Sequence, residues 1–279
     1  MFAEVIGDPV AQSKSPTIHR HWLGQLGLEA DYRRTRVEAK DLACFLDSRR
    51  AEPSWRGCNV TIPHKQAIMT FLDRLDPGAA RIGAVNCVVP EEGALVGYNT
   101  DIDGVEAALS STELRARKAA LIGAGGGARA VVAYLASRGV ACIAVIARSV
   151  ERAQALRALA ANIDVQILPF NRAGEAFAGA AAIINASPFG MTGADPMPRP
   201  LLSLLAANAA GATVFDLVTT PSETDFLSAG RAAGGQPVDG LVMLVGQAAR
   251  AFELFFGVRA PGPDGVLAGL LTAAKGDSS

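Results

Sequence analysis

The chain has 279 residues, with 26 Lys+Arg against 27 Asp+Glu for a formal charge of -1, and it is 50% hydrophobic and 19% charged. That composition excludes a disordered chain. The near-balanced charge supplies no global field to gather nucleic acid or an anionic membrane, so neither is an expected partner. The length suits two domains, each large enough to bury its own core.

The first elements alternate short apolar strands with amphipathic helices. Strands are expected at 3–6, 32–37 and 57–61, the last stopped by Pro63. Helices are expected at 18–26, 42–49 and 66–72. Segments 85–89 and 95–98 flank the Glu91-Glu92-Gly93 turn and predict a hairpin at a sheet edge. The polar stretch 110–118 reads as a boundary. Beyond it, strands are expected at 119–122, 141–146, 165–168, 182–184 and 213–215, with helices at 128–137 and 150–160. Residues 242–256 and 265–274 read as two helices without a strand between them, able to return to the first domain. The fold class is therefore α/β with two domains and mainly parallel sheets, with residues 1–110 plus about 241–279 in one domain and 111–240 in the other.

The longest apolar runs, such as residues 140–147, fall far short of the roughly 20 that cross a bilayer, so no membrane segment is expected. The opening MFAEVIGDP has no basic region followed by an apolar stretch, and a cytoplasmic location is expected. Cys44, Cys58, Cys87 and Cys142 are widely spaced singles, which suggest neither disulfides nor a metal site. At least three of them are expected as small buried apolar residues. His19, His21 and His64 lack metal-ligand spacing and are expected to have no chemical role. A monomer or homodimer is expected.

Residues 119–139 read AALIGAGGGARAVVAYLASRG, an apolar strand, a glycine loop and a helix. Gly123, Gly125 and Ala128 stand in GxGxxA spacing, with Ala124, Gly126 and Gly127 completing the loop. Gly123 permits the tight turn, Gly125 lets the backbone approach a pyrophosphate, and a small residue at 128 lets helix and strand pack closely. The pyrophosphate would sit on N–H groups at the helix N-terminus. The next strand ends Ile146-Ala147-Arg148-Ser149, without the acid that selects a ribose 2′-hydroxyl. Arg148 offers a guanidinium suited to a 2′-phosphate, Ser149 a further hydrogen bond and Arg152 further charge, so NADP is the expected cofactor. The alternative is that Arg148 is a solvated surface residue.

Four polar clusters fall at strand ends in the first hundred or so residues: Ser13-Lys14-Ser15-Pro16, Asn59 to Lys65, Gly83-Ala84-Val85-Asn86 and Gly97-Tyr98-Asn99-Thr100-Asp101. With Asp239-Gly240-Leu241, Met243 to Gln247 and Ala251-Phe252-Glu253, they resemble the shikimate dehydrogenase family over nearly the whole chain. The resemblance implies an N-terminal substrate-binding domain, a C-terminal Rossmann-type NADP-binding domain and reversible hydride transfer between NADPH and 3-dehydroshikimate in aromatic amino acid (chorismate) biosynthesis. It also implies a catalytic Lys65/Asp101 pair, which fits the chemistry: reduction of a ketone needs a positioned acid beside the developing alkoxide.

Ser13, Ser15, Thr61, Asn86 and Gln247 supply the short neutral groups that a polyhydroxylated ring needs. By resemblance, the serines hold the substrate carboxylate, and Asn86, Asp101 and Gln247 hold ring hydroxyls. Ser13 and Ser15 fit equally a helix cap ahead of Pro16, and one serine could do both. The resemblance extends the cofactor contacts to Ser187, Leu217, Gly240 and Met243. Three positions depart from the family pattern: Ala147 stands where Asn is usual, Cys87 where Thr is usual, and Thr219 where a substrate-contacting Tyr is usual. A quinate/shikimate or aminoshikimate dehydrogenase is the same-class alternative, and a sensor without turnover is the alternative of another class.

Overall fold

A computed structural model describes residues 1–263, 265–266 and 269–270. They form two compact units, Met1–Asp101 with Gln247–Leu270, and Ile102–Gly246.

The first unit runs β1 (Phe2–Gly7), α1 (Ser15–Leu26), β2 (Asp31–Arg36), α2 (Leu42–Arg50), β3 (Trp55–Val60), β4 (Arg74–Leu75), α3 (Pro77–Ile82), β5 (Cys87–Glu91) and β6 (Ala94–Tyr98). Its sheet has the order β2-β1-β3-β5-β6-β4. β1 is parallel to both neighbours, whereas β5 is antiparallel to β3 and β6. Two expectations are corrected. The hairpin is inside the sheet, because the two-residue β4 pairs outside it with β6, and so short a strand leaves no period to read. The expected helix at 66–72 is a 3₁₀ helix over Ala67–Phe71, in which the Thr70 hydroxyl donates to the Ala67 carbonyl and competes with α-helical bonding.

Phe2, Ile6, Trp55 and Val88 anchor the core on one face of this sheet. Glu4 lies between Phe2 and Ile6 on that face and is fully buried. It is tolerated because Arg49 donates through Nε at 2.6 Å and Nη2 at 3.2 Å, and the Thr35 hydroxyl also donates to it. An aromatic cluster gathers Trp22, His19, Tyr32, Phe252 and Phe255. Phe255 packs where a side chain at Gly57 would stand, and Gly57 holds a φ of 135°.

The second unit runs α4 (Asp101–Leu109, whose first residue belongs to the first unit), β7 (Lys118–Ile122), α5 (Gly126–Ser137), β8 (Cys142–Ile146), α6 (Val150–Ala155), β9 (Asp164–Leu168), α7 (Ala173–Phe177), β10 (Ala180–Asn185), α8 (Arg199–Asn208), β11 (Thr213–Asp216), α9 (Asp225–Ala232), β12 (Gln236–Val238) and the start of α10 (Gly240–Phe256, whose residues from Gln247 on belong to the first unit). All its strands are parallel, in the order β12-β11-β10-β7-β8-β9. This is the doubly wound Rossmann arrangement, and its order reverses between β7 and β10. The central strands β7, β8 and β10 are apolar without alternation because both faces are covered. Ala119, Leu121, Ile143 and Val145 enter one core; Ala120, Ile122, Ala144 and Ile146 enter the other.

The expected helix at 150–160 is α-helical only through Ala155 and continues as a 3₁₀ turn over Leu156–Leu159. The helix expected at 265–274 lies in large part outside the described residues. Cys58 and Cys87 are buried, Cys142 is intermediate and Cys44 is exposed. That corrects the expectation of three buried thiols: α2 buries Leu42, Phe45 and Leu46, which leaves Cys44 on its outer face. Among the described residues no helix is long and apolar enough to cross a membrane. Among them, too, no group of three or more His, Cys, Asp or Glu could hold a metal ion.

Candidate functional site

In the first unit, the polar residues at strand ends converge on Asp101. Lys65 Nζ donates to Asp101 Oδ2 at 2.6 Å, with side chains 23% and 8% exposed, so the pair is reachable from solvent through the lysine. Asp101 opens α4, where the helix dipole favours its charge. Its other oxygen, Oδ1, accepts from Asn86 Nδ2 at 2.9 Å. Asn86 is held in turn by the Thr100 N–H on its Oδ1 at 2.7 Å. Its Nδ2 also lies 3.4 Å from Gln247 Oε1, which reaches this point from α10. Main-chain bonds fix the frame: Val85 N donates to the Lys65 carbonyl at 2.7 Å and Val60 N to the Asn86 carbonyl at 2.8 Å.

Thr61 follows β3, and its N–H donates to the Ile6 carbonyl at 2.9 Å. Its methyl group occupies the space that a side chain at Gly7 would need. The N-cap position of α1 is Lys14, whose side chain makes no capping bond. Ser13 Oγ lies 3.3 Å from Ser15 Oγ, and Arg34 donates to the Ser13 carbonyl through Nε at 3.0 Å and Nη2 at 2.7 Å. Ser13 Oγ also accepts from the Ser15 N–H at 3.3 Å, at the first residue of α1, so the capping alternative holds in part for Ser13, and the two hydroxyls sit together in a braced loop. His64 is buried, with Nε2 2.7 Å from the Val37 carbonyl. His19 is fully buried, and burial pushes its pKa down to about 3, so the ring is neutral.

In the second unit, the glycine loop leaves β7 at the point where strand order reverses. A side chain at Gly123, with φ 110°, would strike the Ala186 carbonyl at 2.7 Å, and one at Gly127 would strike Leu217 Cδ2 at 2.8 Å. Gly125 and Gly126 face open space instead, and no side chain caps α5 at Gly125. Gly240 lies against the Leu217 carbonyl, and Met243 is buried in the adjoining core. Ala128 is fully buried against the strand, while Ala124 and Ala147 pack half-buried on the same core. An anion-binding helix end lined by glycine, with no acid at the end of β8, fits NADP(H).

Arg148 is exposed, with its guanidinium 5.7 Å from the Phe189 ring centroid. Ser149 is the N-cap of α6: it accepts from Arg152 N at 3.2 Å and donates to Glu151 Oε2 at 2.9 Å. Its hydroxyl proton is thus directed at Glu151, and the Arg152 side chain is exposed. The Ser187 hydroxyl likewise donates to Asn185 Oδ1 at 2.6 Å. Thr219 is half-buried in this unit, apart in sequence from the residues gathered around Asp101.

Sequence reasoning assigned no role to Tyr32, Arg34, Asn59 and Thr100 in the first unit, or to Phe189, Asn185 and Asp216 in the second. Asn59, Thr100 and Asn185 lay inside polar runs at strand ends, which was signal enough. Asp216 is fully buried at the end of β11 and accepts from Asn185 Nδ2 at 2.9 Å, Val218 N at 3.0 Å and the Thr224 hydroxyl at 2.7 Å. Burial raises its pKa from 3.8 to about 6, against the downward pull of those donors. An unfolded aspartate ionises first, so between about pH 4 and 6 the folded state binds more protons and loses stability as pH rises. Asp216→Asn removes that dependence. The Tm difference, wild type minus variant, is expected to shrink between pH 4.5 and pH 8, and a constant difference would mean that Asp216 stays charged throughout.

A twisted sheet carrying a lysine–carboxylate pair, joined to a Rossmann sheet with a glycine cradle, defines the class of a nicotinamide-dependent oxidoreductase. Family models support a narrower assignment. The shikimate dehydrogenase substrate binding domain matches residues 5–88, the shikimate / quinate 5-dehydrogenase domain residues 106–189 and the shikimate 5'-dehydrogenase C-terminal domain residues 240–263. The shikimate dehydrogenase (NADP(+)) of Sphingopyxis alaskensis is 46% identical over 98% of this chain and 97% of its own length. Among solved structures, shikimate 5-dehydrogenase of Thermus thermophilus in complex with NADP(H) and shikimate aligns with a TM-score of 0.83 at 34% identity, covering 98% of this chain and 99% of that one. The ligand-free 5-ketofructose reductase of Gluconobacter sp. strain CHM43 also aligns, with a TM-score of 0.83 at 30% identity over 98% of each chain. The chain belongs to the shikimate dehydrogenase family.

Proposed function

We infer that this protein is an NADP-dependent dehydrogenase that interconverts 3-dehydroshikimate and shikimate, with substrate held by the first unit and NADP(H) by the second. The observation that carries the reading is the Lys65–Asp101 pair at 2.6 Å, set among neutral hydrogen-bonding side chains. Bound NADPH supplies the hydride. As the carbonyl oxygen gains charge, the Lys65 ammonium donates a hydrogen bond and then its proton, and Asp101 holds that ammonium in place. Asn86, Asp101 and Gln247 bind ring hydroxyls, with Thr61 beside them, and Ser13 and Ser15 bind the carboxylate. Thr219 stands where the family's usual residue is a substrate-contacting tyrosine and offers a shorter side chain.

Gly123 to Ala128 receive the pyrophosphate, Arg148, Ser149 and Arg152 the 2′-phosphate end, and Ala147, Ser187, Leu217, Gly240 and Met243 the remainder of the cofactor. The four free cysteines accord with a reducing, cytoplasmic setting. The assembly proposed is a monomer or homodimer.

Initial rates with shikimate, quinate and 5-ketofructose, each with NADP(H) and NAD(H), test the reading. Shikimate with NADP is expected to give the highest kcat/KM. A preference for quinate with NAD, or for 5-ketofructose over shikimate, would overturn it.

A further inference from the structure

His64 stands immediately before Lys65 in the turn that follows β3, and with 1% of its surface exposed it cannot meet a substrate itself. Its Nε2 lies 2.7 Å from the Val37 carbonyl. A carbonyl can only accept, so Nε2 carries the proton and donates it there. Nδ1 is buried as well and has no hydrogen-bond partner among the described residues. An apolar side chain in the same place would avoid the cost of that unpaired nitrogen, so the Nε2 bond is what a histidine offers here.

The bond joins two segments that the sheet keeps apart. Val37 follows β2 and His64 follows β3, and in the order β2-β1-β3 the whole of β1 stands between them. The ring therefore reaches across the end of β1 to Val37, whose own N–H donates to the Gly7 carbonyl at 3.2 Å. Main-chain bonds hold the start of the turn, from Thr61 N to the Ile6 carbonyl at 2.9 Å and from Asp8 N to the Ile62 carbonyl at 3.2 Å. Past it, Val85 N donates to the Lys65 carbonyl at 2.7 Å.

We propose that His64 is a positioning residue whose Nε2 bond to the Val37 carbonyl fixes the backbone of Lys65, and with it the place of the ammonium between Asp101 and the substrate carbonyl. The imidazole clamps the residue before the lysine, and Val85 clamps the lysine's own carbonyl, so its Cα is held from both sides. Lysine carries its ammonium on a flexible stem, and a reacting group displaced by about 1 Å can lose about 100-fold in rate.

The inference rests on the reading that Lys65 protonates the developing alkoxide. His64→Met keeps the bulk and removes the donor, and thermal unfolding verifies that the variant folds; if it does not, His64→Asn, whose amide falls a bond short of Val37, takes its place. kcat is expected to fall about 30-fold, with KM for shikimate within about threefold and KM for NADP unchanged. His64→Gln, whose amide nitrogen extends as far as Nε2 of the imidazole, is expected to keep kcat within about threefold of wild type. In a Lys65→Ala background the donor-removing substitution is expected to change the residual rate by less than about twofold, because the group it positions is gone. A kcat within about twofold of wild type in the donor-removing variant overturns the proposal, as does a His64→Gln equally slow, or the full loss of about 30-fold in the Lys65→Ala background. Lys65→Ala that alone leaves kcat unaltered overturns the reading of Lys65 itself, and the proposal with it.

Discussion

Lys65→Ala is expected to lower kcat about 1,000-fold, within the range measured for loss of a general acid, while KM for shikimate changes only a few-fold. The reason is differential. The ammonium meets a nearly neutral carbonyl in the ground state and a developing alkoxide in the transition state, so its interaction grows along the reaction. A loss of that size corresponds to about 4 kcal/mol of transition-state stabilisation. Lys65→Arg is expected to fail almost as badly. It restores the charge beside Asp101, but a guanidinium does not release its proton at any working pH. The folds of both variants should survive, because Asp101 keeps its bond from Asn86 Nδ2 and its place at the start of α4. Steady-state rates with saturating shikimate and NADP check the prediction, and an unchanged kcat in either variant would remove Lys65 from the chemistry.

Arg148→Ala is expected to raise KM for NADP by about 10- to 100-fold, the loss of one or two charge-assisted hydrogen bonds, and KM for NAD by no more than about twofold. The neighbours placed at the same phosphate compensate only in part. Ser149 directs its hydroxyl at Glu151, and Arg152 is exposed one turn along α6. The Phe189 ring beside the guanidinium pre-orders it at the end of β8, which lowers the entropy lost on meeting a phosphate. Added salt should weaken NADP binding to wild type more than to the variant, since the contact removed is ionic. Equal effects on NADP and NAD would show that Arg148 does not read the 2′-phosphate.

The second sheet was the more legible half of the fold. Its strands at residues 118–122 and 142–146 carry apolar residues on both faces, and a glycine loop follows the first of them, so period and motif agree. The elements missed there are α7 with five residues and β12 with three, one of them a proline, but also the longer helices α4, α8 and α9 of nine, ten and eight residues. In the first unit, β4 escaped because it has only two residues, while the helix expected at 66–72 is present as a 3₁₀ helix. Lys65, Asn86 and Asp101 stood in polar runs at strand ends, where open α/β sheets place ligands. Tyr32 gave no such sign, because an aromatic residue in a strand reads as core and its hydroxyl finds Asn59 only once β2, β1 and β3 lie side by side. Arg34 was hidden among other arginines on the same strand.

The path of the chain sets an order on synthesis. Among the described residues the unit Ile102–Gly246 is one uninterrupted stretch, so it can complete its sheet and both its cores as soon as that stretch has emerged from the ribosome. The unit begun earlier cannot. Its aromatic cluster waits for Phe252 and Phe255, and its polar network waits for Gln247, all of them encoded after the other unit is finished. The usual progression in which the N-terminal domain folds first is thereby inverted. A nascent chain carries Lys65 and Asp101 through the synthesis of the whole intervening unit before Gln247 and the rings that back Tyr32 arrive, so of the two units the one begun earlier is the last to mature.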